Sequence, residues 1–170
     1  ETNRYGIYAQ DLISITNKFK VLAGLRYTIQ EAKPVTYNPT TTVEADKVVP
    51  GAVKNDRAFS PKVGLIYQPN KTISLFSSYS NSFTPNTGGV TIFNEPIKPS
   101  IIDQFEAGVK KEFFKGILST NLTVYQIVNS NLVQTAEFDA DGNVNTNPQV
   151  RELSGETTSK GVELDIIVKP

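Results

Sequence analysis

The sequence contains no cysteine, histidine, methionine or tryptophan. Without thiols no disulfide framework can staple the fold, and without histidine the usual general base and the commonest zinc ligand are both gone. Charge of one sign is also lacking in excess. Lys and Arg number 17 and Asp and Glu 17, a formal net charge of zero, so nothing marks a nucleic-acid partner. No stretch approaches the roughly 18 apolar residues of a membrane-spanning helix. That test is silent on a barrel, whose strands alternate in polarity and leave hydropathy unremarkable. Hydrophobic residues make up 38% of the 170 and mean hydropathy is -0.25, both low for a chain closing around an ordinary core. With no methionine, Glu1 is not a translation start, and the chain reads as a piece of something larger.

What is present is alternation. In VGLIYQPNKTISLFSSYS, Val63, Leu65 and Tyr67 alternate with Gly64, Ile66 and Gln68. Beyond Pro69-Asn70-Lys71, Ile73, Leu75 and Tyr79 alternate with Ser74, Ser78 and Ser80. A period of two divides the chain into seven candidate strands, at 4–15, 20–30, 59–68, 72–83, 103–113, 117–134 and 158–169. The connections alternate in length: short at 16–19, 69–71 and 114–116, long at 31–58, 84–102 and 135–157. Loops of that length are uncommon in compact domains, whereas outer-membrane barrels carry short periplasmic turns and long extracellular loops.

The two faces differ in kind. One carries Val21, Ala23, Leu25, Tyr27 and Ile29, then Phe59, Val63, Leu65 and Tyr67, then Leu118, Leu122 and Val124, then Val162, Leu164, Ile166 and Val168. The other carries Gly24, Arg26, Thr28 and Gln30, then Ser60, Lys62 and Gly64, then Glu106, Gly108 and Lys110, then Ser119, Asn121 and Thr123, then Glu163 and Asp165. A wall with lipid outside and a polar lumen inside accounts for both. Tyr67 and Phe113 near the short turns, and Tyr27, Phe59, Tyr79 and Phe105 toward the long loops, fall where interfacial aromatics belong. Asp11 and Lys111 share parity with apolar neighbours, while Ile66 and Phe76 intrude on the polar side, which suggests a bulge or a membrane-edge charge in the first and fifth strands. The expected class is all-β: an antiparallel up-and-down transmembrane β-barrel segment of seven consecutive strands.

Four segments in order resemble the barrel of TonB-dependent siderophore receptors: YGIYAQDLISI with LAGLRYT, FSPKVGLIYQPNKTISLFSSYSNSFTP, IKPSIIDQFEAGVKKEF, and GETTSKGVELDI. Where that family usually has an acidic residue after the lysine-proline pair, this chain has Ser100. The resemblance implies a segment of a barrel of about 22 strands, with 1–170 all barrel and the plug domain and TonB-contacting segment elsewhere. It implies a bacterial outer-membrane receptor, not an enzyme, that binds a ferric siderophore through extracellular loops and imports it with TonB-derived energy. Partners would be the ferric siderophore, TonB and outer-membrane lipid, with no nucleic acid. No cofactor or metal would be bound directly, iron being carried inside the chelate.

On that reading Tyr37, Phe83, Phe93 and Phe138, in or beside the long loops, are candidates for the aromatic walls of a ligand pocket, against the plainer role of loop packing. Arg26, Lys62, Glu106, Lys110, Glu163 and Asp165 are candidates for a lumenal path. The competing reading is a solvated face with scattered cross-strand ion pairs, each worth about 0–1 kcal/mol. Asp139 to Asn143 (DADGN) fails as a calcium loop because its twelfth position is Val150 rather than a bidentate glutamate. A passive porin or adhesion barrel and a soluble β-sandwich module are the alternative functions. The sandwich requires a second protein layer over the apolar rows.

Overall fold

The computed structural model describes residues 2–33, 35–37, 48–50, 53–86 and 88–169, with 35–37 and 48–50 defined by their backbone alone. Seven long strands form one antiparallel sheet: β1 (Thr2–Ser14), β2 (Phe19–Ala32), β5 (Lys54–Asn70), β6 (Ile73–Thr84), β7 (Ser100–Phe113), β8 (Leu118–Ser130) and β11 (Glu156–Val168). They lie side by side in chain order, so the sheet is an up-and-down ribbon with β1 and β11 at its edges. The long connections carry two small hairpins, β3 (Val35–Tyr37) with β4 (Val48–Pro50) and β9 (Val133–Thr135) with β10 (Arg151–Leu153). Among the described residues there is no α-helix. A 3-10 turn at Phe114–Gly116 joins β7 to β8.

Side-chain acceptors close the other short turns. Thr16 Oγ1 accepts from the Lys18 and Phe19 amides, and Asn70 Oδ1 from the amides of Thr72 and Ile73 and from the Thr72 hydroxyl. The one register shift in the main sheet lies between Tyr67 and Asn70, where Pro69 has no N–H to offer the ladder. Neither β1 nor β7 holds a bulge, since their registers run unbroken. Asp11 and Lys111 therefore stand on the apolar face as charges near the turn end. Lys111 places its ammonium 4.6 Å from the centre of the Phe113 ring.

Two boundaries differ from the alternation by more than three residues. β5 begins at Lys54, five residues before the expected start, because Lys54, Asp56, Ala58 and Ser60 continue the inward parity and pair with β2 up to Ala32. The expected strand 117–134 is broken at Asn131, whose backbone is left-handed at φ 58°. Three successive polar residues, Asn129-Ser130-Asn131, already interrupt the period of two there, a turn signal within the expected strand. Asn is among the few non-glycine residues that tolerate the conformation.

The faces separate as alternation required. Ile7, Leu25, Phe59, Val63, Leu65, Val124, Val162 and Leu164 are all exposed, and the long strands pack extensively only on their neighbours in the sheet, so no second layer of described residues covers them. The opposite face is crowded, with Thr28, Gln30, Asp56 and Thr123 buried. It is the inside of the curve. Arg4 on β1 and Phe83 on β6 are three strand spacings apart, roughly 14 Å in a flat sheet, yet the guanidinium carbon lies 5.4 Å from the ring centre. On this inner face side chains lie flat over glycine: a Cβ on Gly108 would meet Leu122 O at 2.5 Å and the Phe76 ring at 2.6 Å, which is why Phe76 can occupy the polar side.

Candidate functional site

The ladder between β5 and β6 ends at Lys62–Ser80, although both strands continue beyond it, β5 back to Lys54 and β6 on to Thr84. Pro61 stands at the parting. Lacking an N–H, it cannot extend pairing to a neighbour on that side. The splayed strands leave a recess of about 410 Å³ on the inner face, lined by Arg4, Tyr8, Arg26, Ser60, Lys62 and Phe83 among others. Phe83 shares sequence parity with the outward Tyr79 and Asn81, but it is only 6% exposed and lies under Arg4.

Above the recess the long connections are tied together. The Lys54 ammonium donates to the carbonyls of Asn86 and Ile97, both at 2.6 Å, and lies 3.2 Å from Asp56 Oδ2. Lys54 and Asp56 are both largely buried. Asp56 Oδ2 has no hydrogen-bond partner, so the ammonium alone compensates that carboxylate oxygen. The Ser100 hydroxyl donates to Asn131 O at 2.9 Å, and Asn131 Nδ2 donates to Pro99 O at 3.2 Å. The Val90 amide donates to Gln149 O, and the Arg151 amide to Val90 O. Gly89, at φ 83°, makes that approach possible, since a Cβ there would meet Gln149 O at 2.5 Å. Segments 85–99 and 131–155 are thus one interlocked platform, with Ile97 and Ala136 buried. An acid at Ser100 would lose the donor that fixes Asn131 O.

The expected loop aromatics are not gathered into one pocket. Phe93 is 73% exposed and Phe138 49% exposed, both on the platform, while Phe83 sits below in the recess. The Tyr37 side chain lies outside the described residues.

The six lumenal candidates all fall on the inner face by register, but among the described residues no two of them form an ion pair. Arg26 Nε donates to Thr28 Oγ1 at 3.1 Å, Glu106 accepts from Gln104, Asp165 accepts from Asn121 at 3.1 Å, and Lys110 lies 5.5 Å from the Phe76 ring centre. The signs are instead segregated. Register puts Arg4, Lys20, Arg26, Lys54 and Lys62 on the inner face of β1, β2 and β5, with Asp56 the one acid there and already matched to Lys54. Glu106, Glu112, Glu163 and Asp165 occupy the inner face of β7 and β11, with Lys110 on β7 the one base among them. Lys54, Asp56, Arg4 and Asn131 escaped the sequence reading. Two signals of them stand in the sequence: the inward parity that Lys54 and Asp56 share with Ala58 and Ser60, and the polar run Asn129-Ser130-Asn131.

Residues 1–168 match the family model described as "TonB dependent receptor-like, beta-barrel". The chain belongs to that family. Its members are outer-membrane β-barrel transport receptors rather than enzymes, and this chain is an open segment of such a wall. Over 164 residues it is 27% identical to the metal-pseudopaline receptor CntO of Pseudomonas aeruginosa, covering 96% of this chain and 22% of that protein. Over 152 residues it is 27% identical to the ferripyoverdine receptor of the same species, covering 88% and 17%. The chain therefore spans about a fifth of the length of these relatives. The crystal structure of the P. aeruginosa ferripyoverdine receptor bound to ferripyoverdine superposes with a TM-score of 0.76 at 21% identity, over 99% of this chain and 21% of that one. The alcaligin receptor FauA of Bordetella pertussis superposes with a TM-score of 0.75 at 20% identity, over 99% and 27%.

Proposed function

We propose that this TonB-dependent receptor wall serves uptake of a ferric siderophore, with residues 85–99 and 131–155 at the extracellular mouth and the charged inner face lining the route. The plug domain and the TonB-contacting segment belong, on this reading, to parts of the receptor outside residues 1–170. Iron is cargo held by its chelator, and the segment contributes walls and binding groups but no bond chemistry. The observation that carries the proposal is the family match across 1–168 together with relatives named as metal-pseudopaline and ferripyoverdine receptors. The outward apolar rows and the inward polar recess support it physically, because a transport wall must satisfy lipid and a hydrated cargo on opposite sides of the same strands.

The test is accumulation of radiolabelled ferric chelate by cells carrying the full-length receptor as their sole siderophore receptor. Uptake that disappears on deletion of TonB is expected. Uptake that persists without TonB would make the protein a passive pore and overturn the proposal.

A further inference from the structure

We infer that the recess between β5 and β6 is a subsite for an anionic chelating arm, so that the cargo is a negatively charged ferric chelate of catecholate or carboxylate type rather than a neutral hydroxamate. The inference rests on the transport reading above and adds the charge class of its substrate.

Three observations carry it. Arg4, Arg26 and Lys62 converge on the recess, and no acidic residue lines it. Arg26 pairs across the sheet with Ser60 and Lys62 with Gly24, so the two cations are diagonal neighbours, roughly 7–8 Å apart by sheet geometry. Like charges so placed repel, and Asp56, the nearest acid on that inner surface by register, is committed to Lys54. Second, no described residue buries the three cations, and Lys62 makes no ion pair among the described residues. Third, the recess offers the hydroxyls of Ser60, Ser80 and Ser82 and the ring of Tyr8 beside the charges, while Phe83 lies beneath Arg4 as its floor. Cations, neutral donors and an aromatic face together suit a delocalised phenolate or carboxylate, which takes charge-assisted hydrogen bonds through its oxygens and stacks through its ring. At about 410 Å³ the recess is at the small end of ligand pockets, which run roughly 300–1,000 Å³. It therefore suits one arm of a chelate rather than the whole complex.

The experiment uses the full-length receptor in detergent and two probes, a trianionic ferric tris-catecholate and a neutral ferric tris-hydroxamate. Wild type is expected to bind the anionic probe more tightly, with an affinity that falls as salt is raised. Arg26→Gln with Lys62→Gln should weaken it by about ten-fold or more, the scale of one lost charge-assisted contact, while leaving any binding of the neutral probe unchanged. A wild-type preference for the neutral probe, equal losses for both probes, or a lowered thermal midpoint with no change in anion affinity would overturn the inference. The last result would mean that carboxylates elsewhere in the receptor neutralise these cations. If wild type binds neither probe and accumulates no ferric chelate of either class, the transport reading itself fails and takes the subsite with it.

Discussion

Replacing Lys54 by methionine should release the platform while leaving the barrel wall folded. In the native arrangement one ammonium satisfies two carbonyls at 2.6 Å, those of Asn86 and Ile97, and faces Asp56 Oδ2 at 3.2 Å. All three acceptors depend on a side chain only 13% exposed, and the Asp56 side chain is 8% exposed. Methionine keeps the length of the stem and removes the charge, stranding a buried carboxylate. Breaking one member of a buried pair costs about 3–5 kcal/mol. If that cost falls on the platform, its open population rises by roughly two to nearly four orders of magnitude. Hydrogen exchange on the full-length receptor reads this directly. The Val90, Ala136 and Arg151 amides, held by Gln149 O, Val150 O and Val90 O, should exchange faster by that factor, while amides in the β1–β2 ladder keep their native rate. The double variant Lys54→Met with Asp56→Leu should recover much of the protection, because replacing both partners removes the stranded charge. Exchange at Val90 no faster than in wild type would refute the argument that Lys54 holds the loops. So would equal acceleration in β1 and β2, which would mean the wall itself had been loosened.

Two further outcomes test the wall. Leu65→Arg and Val124→Arg, on the uncovered outer face, should each destabilise the full-length receptor by about 2–4 kcal/mol in urea titrations in lipid vesicles. Glu163→Gln, exposed on the inner face, should change little; a mild effect at Leu65 would mean that face does not meet hydrocarbon. Gly108→Ala should cost about 1–3 kcal/mol because the new methyl meets a backbone carbonyl at 2.5 Å. Gly161→Ala should cost less in the same titration, since only the far end of the Tyr125 ring stands in the way and can swing into the lumen. Equal costs at the two glycines would show that the carbonyl is not the obstacle.

Alternation was enough to specify seven strands and, Phe83 apart, the face on which each strand's side chains stand, because in a strand of period two facing is local. Val63, Leu65 and Tyr67 point outward whatever lies elsewhere in the chain. It could not specify where neighbouring strands part, since that depends on two ladders at once. Pro61 is a visible signal, but its consequence, a gap that turns Phe83 beneath Arg4, exists only once β1 and β6 are brought together by curvature. Nor could it pair Lys54 with Asn86 and Ile97, which lie 32 and 43 residues away in the chain. The lateral segregation of charge has the same origin. Sequence shows equal numbers of acids and bases, and only the sheet brings most inward bases together on β1, β2 and β5 and the inward acids other than Asp56 to β7 and β11, beside Lys110. The faces came from the chain and the site from the fold, because facing is a property of one strand and a recess is a property of several.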